Sequence, residues 1–346
     1  MNRIALIVPT LIGHKYRGTG VYTQNLFQEL KKLSNIQVDL VTFKNNLKEF
    51  DLVHYPFFDP FFLTYPLFKT KPTVITIHDL IPLKFPQHFP RGILGEVKWQ
   101  IQKLSVKSSS AIITDSNASN NDIEKIIGYK KTSVYTIPLG VSSDFSIIKS
   151  DDFKLKTKNK YSLPDHFILN VGDVNYNKNS EGLITAFNLI ADKFKHLDLV
   201  LIGKGFIDPS SQLINLKSLI NNFGLEDRIH RLANVSPVDL VAIYNLADIY
   251  IQPSFAEGFG LPILEAMSCG CPVIASNIDS HMEILGDAAL TFNPNNIQDI
   301  VIAVEKLLTS DQLNKKFLVS GLIQAKKYTW KTTAQRTFDV YQRLIK

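Results

Sequence analysis

The stretch EGFGLPILEAMSCGCPVIAS (Glu257–Ser276) places two acids eight positions apart around a glycine-rich turn. Pro262 suits the first turn of a helix, because its missing N–H would have no partner there. Gly270 is a natural helix stop. The pattern therefore predicts a short helix, PILEAMSC, that carries Glu265 in its first turn, followed by a buried strand over Cys271–Ser276.

The glycines of this turn, Gly258 and Gly260, lie just before the predicted helix, a position at which backbone N–H groups can bind an anion. Together with the two acids they would make a site for a polar, phosphorylated ligand. The alternative is that Glu265 only complements the helix dipole and that Glu257 starts a surface turn. The stretch by itself does not choose between these interpretations.

The bulk properties indicate a globular protein with two domains. The 346 residues exceed one ordinary core, and 45% apolar and 20% charged residues are typical of soluble proteins. The N-terminus predicts a first strand rather than a signal peptide, and no uncharged segment approaches the ~18 residues of a membrane span. The spacing of Cys269 and Cys271 fits neither a disulfide framework nor a zinc site, so we expect buried thiols in a reducing compartment.

The charge is unevenly distributed along the chain. Residues 1–150 carry 18 Lys and Arg against 11 Asp and Glu, a net charge of +7, whereas residues 151–346 carry 20 against 21, a net charge of −1. The cationic half is expected to meet either the phosphates of a substrate or the surface of an anionic membrane. Nucleic acid is not an expected partner, since no dense basic stripe is interleaved with aromatic residues.

Predicted strands and helices alternate through both halves, which favours parallel sheets covered by helices. The polar, Lys-rich stretch SIIKSDDFKLKTKNKYSLPD (146–165) interrupts the alternation and is predicted to be the domain boundary. We therefore expect an α/β protein with doubly wound domains at 1–150 and 151–325. Ligands should bind at the carboxyl ends of the strands, in the cleft between the domains. The last helix, 326–346, is expected to pack back toward the first domain.

Polar residues at predicted strand ends are the candidates for chemistry. Gly18, Thr19 and Gly20 end the loop before the first helix and would let N–H groups approach a phosphate. Their spacing is neither that of the dinucleotide fingerprint nor that of a P-loop. His78 and Asp79 end a strand and could orient a substrate hydroxyl or move a proton, unless a backbone carbonyl simply satisfies His78.

Lys178 follows the first predicted strand of the second domain and precedes a helix. A lysine at such a loop would neutralise phosphate charge, although a solvated surface lysine has the same sequence pattern.

Four stretches occur in order along the chain: ITIHDLIPLKFP, VGDVNYNKN, the opening stretch, and GDAALTFNP. The combination resembles glycosyltransferase family 4, whose members are retaining enzymes of the GT-B fold that use sugar nucleotides. The resemblance covers nearly the whole chain, and the E-x7-E pattern from Glu257 to Glu265 is its most specific part. It implies two Rossmann-like domains that face a central cleft, the first binding the acceptor and the second the donor.

The resemblance also implies a role for individual residues. Glu265 is expected to bind the ribose hydroxyls of the nucleotide, while Glu257, Lys178 and His78 form the catalytic set at the donor sugar and its diphosphate. The other expected substrate-binding residues are Gly18, Thr19, Gly20, Asp79, Gly172, Asn177, Val235, Gly258, Phe259, Gly260 and Leu261. Among these, Val235 falls in the stretch expected at the nucleobase.

Two positions depart from the commonest family pattern. Many members carry Arg where Asn177 stands, and others carry Arg where Asp173 stands. One positive charge on the diphosphate is therefore missing from its usual place, and Lys204 is a candidate substitute.

The implied activity is transfer of a hexose, with mannose favoured, from a nucleoside-diphosphate sugar to a glycan or a polyprenyl-diphosphate-linked acceptor in polysaccharide synthesis. No cofactor and no metal are expected, because the acidic pair in SDDF lies in the predicted linker. The leaving phosphate is expected to help deprotonate the acceptor in a front-face attack. The alternatives are a sugar-nucleotide epimerase, another GT-B enzyme such as a phosphorylase, or a two-domain sugar-binding protein.

The aromatic stretch YPFFDPFFLTYPLFK (Tyr55–Lys69) has two interpretations. It could fill the core of the first domain, or it could dock a lipid-linked acceptor or a bilayer surface. The second interpretation predicts a cytoplasmic protein at the inner face of the cell membrane, in peripheral contact with anionic lipid.

Overall fold

The computed structural model describes residues 2–8, 18–43, 45–129, 133–207, 211–233 and 235–345, with the backbone alone at 211–214. The chain divides into two compact units. The first comprises Met1–Gly140 and Tyr328–Lys346, and the second comprises Val141–Lys327. The division after Gly140 comes earlier than the boundary expected at residue 150.

The first unit is built on a parallel sheet of six strands in the order β2-β1-β3-β4-β5-β6. These are β1 (Asn2–Ile7), β2 (Ile36–Val41), β3 (Leu52–Tyr55), β4 (Thr73–Thr76), β5 (Ala111–Thr114) and β6 (Val134–Thr136). Strands β3, β4 and β5 are buried along their whole length, as a parallel sheet covered on both faces requires. The covering helices are α1 (Gly18–Leu30), α2 (Ile81–Lys84), α3 (Gly92–Lys107) and α4 (Asn117–Asp122), the last continued by a π-helix, Ile123–Ile127.

The second unit repeats the design, with strand order β12-β11-β10-β7-β8-β9. Its strands are β7 (His166–Val171), β8 (Leu197–Ile202), β9 (Ile229–Leu232), β10 (Ile249–Gln252), β11 (Val273–Ser276) and β12 (Leu290–Phe292). Its helices are α5 (Asp151–Tyr161), α6 (Ser180–Lys193), α7 (Ser211–Phe223), α8 (Pro237–Leu246), α9 (Leu261–Ser268), α10 (Asp279–Leu285), α11 (Ile297–Leu308) and α12 (Asp311–Ala325). The strand order reverses between β7 and β10, where a doubly wound sheet binds its ligand.

The C-terminal helix, α13 (Trp330–Leu344), belongs to the first unit and packs against α1. A buried polar chain fixes it, because Tyr341 Oη lies 2.5 Å from His54 Nδ1 and Thr76 Oγ1 lies 2.8 Å from His54 Nε2. Burial lowers the pKa of His54 to about 3, so the ring is neutral. A side chain at Gly140 would collide with the backbone of Trp330, since its Cβ would lie 2.0 Å from the Trp330 nitrogen.

The prediction that residues 146–165 form a linker is wrong, because this stretch contains α5. Ser150 Oγ caps the helix by accepting the Phe153 N–H at 3.3 Å, and the acids of SDDF stand in its first turn, where they favour the helix dipole. Lys160 and Tyr161 both bond to Asp239 of α8, at 2.7 and 2.9 Å. The stretch is therefore part of the second unit.

Two smaller differences affect the opening stretch and its neighbours. Helix α9 begins at Leu261, so Glu265 lies in its second turn rather than its first. Helices α10 and α12 and strand β12 were not predicted from the sequence. Cys269 and Cys271 are buried free thiols, and burial raises the pKa of Cys269 to about 12.

In the aromatic stretch Tyr55–Lys69, some rings are buried in the core and others are exposed. Tyr55, Phe57 and Tyr65 lie in the core of the first unit. Phe62 and Phe68 are exposed, the latter by 88%. Among the described residues, no helix combines the length and the apolarity needed to cross a membrane.

Candidate functional site

Two loops leave the carboxyl ends of β7 and β10, the neighbouring strands at which the second sheet reverses its order. They are tied to each other by hydrogen bonds. The buried side chain of Asn177 donates to the carbonyl of Ala256 at 3.0 Å, and the N–H of Phe255 donates to the carbonyl of Asn177 at 2.7 Å. Asn177 thus holds the two loops together.

A second buried asparagine, Asn179, completes the anchor on the other side of Lys178. It adopts a left-handed backbone with φ of 53°, a conformation that asparagine tolerates better than most residues. Its amide donates to the carbonyls of Pro253 and Pro294, each at 3.1 Å. The backbone of Lys178 is therefore fixed from both sides.

Lys178 and Glu257 form a largely buried ion pair between these loops. The Lys178 ammonium lies 2.7 and 2.9 Å from the two carboxylate oxygens, and the side chains are only 23% and 11% exposed. Glu257 Oε1 also accepts Ser254 Oγ at 2.6 Å and Gln252 Nε2 at 3.0 Å. Burial alone would raise the pKa of Glu257, but Lys178 and the hydrogen bonds hold it below its ordinary value. Glu257 is therefore a carboxylate at neutral pH.

Glu265 lies on α9 and accepts a hydrogen bond from the buried Tyr244 hydroxyl at 3.0 Å. Burial raises the pKa of Glu265 to about 7, and the bond from Tyr244 opposes this rise. The ring of Tyr244 packs edge-on against Tyr250, and the Tyr250 hydroxyl donates to Gln252. A continuous path of side chains thus joins Glu265 to the partners of Glu257.

The turn before α9 supplies N–H groups rather than side chains. Gly260 has φ of 122°, and a Cβ there would lie 2.9 Å from Ile284, so the position requires glycine. Pro262 carries no N–H and the N–H of Ile263 donates to the carbonyl of Gly260 at 3.0 Å, so the N–H groups at the start of α9 are those of Gly260 and Leu261. With the helix dipole behind them they favour an anion, and Lys178 adds a full positive charge at the same strand ends.

The chain matches two protein-family models and a known relative. The family model for glycosyl transferases group 1 matches residues 151–319, and the model for Glycosyltransferase Family 4 matches residues 43–145. The O-antigen chain mannosyltransferase B of Escherichia coli is 32% identical over 274 residues, which are 78% of this chain and 70% of the relative. The chain belongs to glycosyltransferase family 4.

A second relative and a solved structure also resemble the chain. The serotype-specific mannosyltransferase WbdA of Escherichia coli is 32% identical over 280 residues, or 79% of this chain, and the chain spans about a third of WbdA, 34%. The structure of Alr3699/HepE from Anabaena in complex with UDP-glucose has a TM-score of 0.79 at 18% identity and covers 99% of this chain and 100% of that chain. The expected GT-B fold of this family 4 chain is thereby confirmed.

In the first unit of this family 4 chain, His78 follows β4. Its Nδ1 lies 2.7 Å from Asp115 Oδ2, and its Nε2 lies 3.2 Å from the carbonyl of Pro56. Burial disfavours the charged ring, but the interaction with Asp115 outweighs the effect of burial. The pKa of His78 is therefore raised above its ordinary value. Asp79 accepts the N–H of Ile81 at 3.0 Å, at the start of α2.

Gly18, Thr19 and Gly20 are the first three residues of α1, not the end of a loop. They form the first turn of this helix. The preceding residues, 9–17, lie outside the described residues, including Arg17 of the motif RGTG.

The remaining predicted residues of the second unit fall around its strand ends. Gly172 follows β7, and a Cβ there would meet only the stem of Lys178, at 3.9 Å. Val235 is half-buried between β9 and α8. Asp173 accepts its neighbour's N–H through Oδ1 at 3.1 Å, while Lys204 is exposed in a short 3-10 turn after β8.

The structure therefore brings Lys178, Asn177, Glu257 and Glu265 together with the turn Gly258–Leu261, and it places His78 in the other unit. Within the described ranges, no three His, Cys, Asp or Glu side chains are grouped so that they could hold a metal ion.

Sequence reasoning missed several residues of the site. Gln252 ends strand β10 and Ser254 follows it in DIYIQPS, so their position at the end of a buried strand was an available signal. Asp115 likewise follows β5 directly. His281 on α10 is buried, with Nδ1 3.1 Å from the Ser276 carbonyl and Nε2 unpartnered among the described residues. Burial lowers the pKa of His281 to about 4.

Proposed function

We propose that the chain is a retaining glycosyltransferase of polysaccharide biosynthesis. It moves a hexose, with mannose favoured, from a nucleoside-diphosphate sugar to a glycan or a lipid-linked saccharide. The two E. coli relatives are named as mannosyltransferases, and the structure of Alr3699/HepE holds UDP-glucose, which supports this class of donor. The observation that carries the proposal is the Lys178–Glu257 pair beside the N-terminus of α9.

The donor diphosphate is proposed to bind Lys178 and the N–H groups of Gly258–Leu261. Negative charge grows on the departing phosphate as the bond to the anomeric carbon breaks, so fixed positive groups stabilise the transition state more than the ground state. Asn177 and Asn179 fix the backbone of Lys178 on both sides, so only side-chain rotation can move its ammonium. The charge is met by protein groups, and no metal is proposed.

Glu257 is proposed to orient the donor sugar. As a carboxylate it only accepts hydrogen bonds, and Oε1 already accepts from Ser254, Gln252 and Lys178. Oε2 is engaged by Lys178 and keeps a further lone pair for a sugar hydroxyl. When Lys178 turns part of its donors toward phosphate, Ser254 and Gln252 still hold the carboxylate in place.

Glu265 is proposed to accept the two ribose hydroxyls of the nucleotide. The Tyr244 hydroxyl occupies only Oε2, which leaves acceptor sites on both carboxylate oxygens. A carboxylate that accepts neighbouring hydroxyls from a ribose distinguishes nucleotides from other phosphates. Because its pKa is about 7, ionisation of Glu265 accompanies nucleotide binding.

For the chemical step we propose front-face attack, with the leaving phosphate helping to deprotonate the acceptor. Retaining glycosidases use a carboxylate nucleophile instead, but Glu257 is tied by four hydrogen bonds, two of which form its ion pair with Lys178. His78, held by Asp115, is proposed to contact the donor sugar near the reacting carbon.

The acceptor is proposed to be a glycan or a polyprenyl-diphosphate-linked saccharide, and the place of action the cytoplasmic face of the membrane. The net charge of +7 on residues 1–150 supports an anionic acceptor or surface.

A thermal-shift panel tests the proposal. The ligands are GDP, UDP, ADP and dTDP, and the hexose derivative of each nucleotide. They are added to wild type, to Glu265→Ala and to the surface control Glu305→Ala. A ligand at ~100 times its Kd adds roughly 2.7 kcal/mol to the stability of the protein. We expect one base to stabilise wild type and the control but not Glu265→Ala.

The selected nucleotide sugar is then incubated with and without a saccharide acceptor. Transfer of the sugar with its anomeric configuration retained supports the proposal. Release of nucleotide or an epimerised sugar without any acceptor would identify an epimerase instead, and absence of nucleotide binding would reject the assignment.

A further inference from the structure

Helix α3 of the first unit has a buried inner face and an exposed apolar outer face. Its inner face packs into the unit through Gly95, Trp99, Gln102, Ser105 and Val106. Its outer face carries Ile93, Leu94, Val97, Ile101 and Leu104, which are 85%, 76%, 52%, 37% and 64% exposed. At 100° per residue these five side chains occupy an arc of about 100°, which is the width of the stripe that a surface helix normally buries.

The loop beside α3 exposes further apolar side chains. Phe62, Leu63, Leu67 and Phe68 are 49%, 59%, 46% and 88% exposed. Gln102 donates to the carbonyl of Phe62 at 2.9 Å, and Ser105 donates to the carbonyl of Pro66, so the loop lies directly against the helix. The outer face of α3 and this loop together are named the apolar face.

Cations surround the apolar face. Residues 60–71 and 91–107 contain six of them, Lys69, Lys71, Arg91, Lys98, Lys103 and Lys107, against one acid, Glu96, which gives a net charge of +5. The acid is neutralised, since Arg91 lies 2.5 Å from it. The ammonium of Lys98 lies 5.5 Å from the centre of the Phe62 ring, which places positive charge at the edge of the exposed rings.

We propose that the apolar face docks the protein on an anionic lipid bilayer. Soluble monomers rarely expose apolar patches of this continuity without using them. Exposed aliphatic and phenyl side chains ringed by lysines match an interface in which the apolar groups enter the acyl region and the ammonium groups reach the lipid phosphates. Phe68 and Ile93 are almost fully exposed, as insertion into a bilayer requires.

A second copy of the chain is the main competing occupant, and the charge pattern disfavours it. A two-fold dimer would place the apolar face against itself, and with it the two cationic rims of +5 each. Like charges brought together in this way repel each other. An anionic bilayer removes the conflict, because the same rim then contributes to binding.

The test is co-sedimentation of the whole chain with lipid vesicles, without donor or acceptor, so the outcome does not depend on the proposed chemistry. Vesicles of phosphatidylcholine with phosphatidylglycerol are compared with vesicles of phosphatidylcholine alone. Wild type is compared with Ile93→Gln/Leu94→Gln. The control is Ile302→Gln/Val319→Gln, which changes two aliphatic residues of the second unit that are 59% and 56% exposed.

We expect wild type and the control to bind the anionic vesicles, with Ile93→Gln/Leu94→Gln at least ~10-fold weaker. Binding should weaken with added salt and with Lys98→Gln/Lys103→Gln. Absence of binding by wild type, or equal binding by all variants, would overturn the inference. So would a dimer that Ile93→Gln/Leu94→Gln dissociates while vesicles have no effect, since a second copy would then occupy the face.

Unfolding curves are recorded for each variant, and we expect all three pairs of substitutions to leave the fold intact. Turnover on a water-soluble saccharide acceptor should be unchanged in Ile93→Gln/Leu94→Gln, because the substituted side chains lie outside the proposed chemistry. Loss of vesicle binding with retained turnover therefore separates failure of the docking surface from failure of the proposed function.

Discussion

The two sheets present their polar residues at the same kind of place, the carboxyl ends of parallel strands, but use them differently. In the first unit His78 has both ring nitrogens engaged, by Asp115 and by the carbonyl of Pro56. In the second unit the Lys178 ammonium meets the two oxygens of Glu257, and one of these oxygens keeps a free lone pair.

The difference indicates which unit is prepared for an anionic ligand. A histidine with both ring nitrogens engaged must give up one contact, here the 3.2 Å contact to the Pro56 carbonyl, before a ring nitrogen can bind a substrate. A lysine paired to a carboxylate can share its donors with an arriving phosphate, and the carboxylate remains held by Ser254 and Gln252. The following predictions test this contrast.

The largest effect is expected at Lys178. Replacement by alanine removes the positive charge that stabilises the leaving phosphate, and turnover should fall by ~10²- to 10³-fold. Lys193→Ala is the matched control, since Lys193 pairs with Glu305 on the surface. Steady-state kinetics of both variants decide the matter, and unchanged turnover in Lys178→Ala would remove the lysine from the mechanism.

The next effect is expected at Gly203, which packs against Gly172 at the start of the loop that carries Lys178. A Cβ at Gly203 would lie 1.7 Å from the carbonyl oxygen of Gly172, so Gly203→Ala must push the loop away. Overpacking of this kind costs about 1–3 kcal/mol. Gly172→Ala, on the other side of the same contact, meets only a lysine stem at 3.9 Å and should cost much less. Chemical denaturation compares the two, and equal losses would argue against the close approach.

A pH dependence is expected from Glu265, whose pKa is about 7 rather than the ordinary carboxyl value. A raised carboxyl pKa means that the unliganded protein loses stability as the pH rises toward 7, because ionisation is costly in the folded state. Ribose hydroxyls need the ionised form, so donor affinity should rise about tenfold from one pH unit below this pKa to one unit above it.

Titration calorimetry with a nucleotide sugar measures this, because its diphosphate does not titrate in the range. The donor affinity of the Glu265→Gln variant should be independent of pH. Tyr244→Phe removes a hydrogen bond that lowers the pKa of Glu265, so its profile should move to higher pH. A flat wild-type profile would contradict the role of Glu265.

The smallest effect is expected in the first unit. Asp115→Asn removes the charge that raises the pKa of His78, so this pKa should fall, and turnover at neutral pH should fall only about threefold. NMR titration of the imidazole signals follows the change, with the buried neutral His54 as the internal reference. A pKa of His78 that stays in place would show that Asp115 does not hold the ring.

The sequence allowed the parallel sheets and the opening helix to be predicted, because buried strands, Pro262 and Gly270 are local signals. It also contained signals for α5 that were not used, namely Ser150 before two acids and lysines in the last turn. The pairing of His78 with Asp115 was beyond local reasoning, since 37 positions separate them and a nearer acid, Asp79, was available. The same holds for Tyr244 and Glu265, which only the packing of α8 and α9 brings together.

The central claim is that the donor diphosphate binds beside Lys178 in the second unit. Calorimetric affinities of GDP-mannose and of guanosine, measured for wild type and Lys178→Ala, test it most directly, with the selected base substituted if the panel names another. We predict that Lys178→Ala binds the nucleotide sugar at least ~10-fold more weakly and the nucleoside equally well, because a charged hydrogen bond contributes about 1.5–3 kcal/mol. Equal affinity of both proteins for the nucleotide sugar would contradict the account.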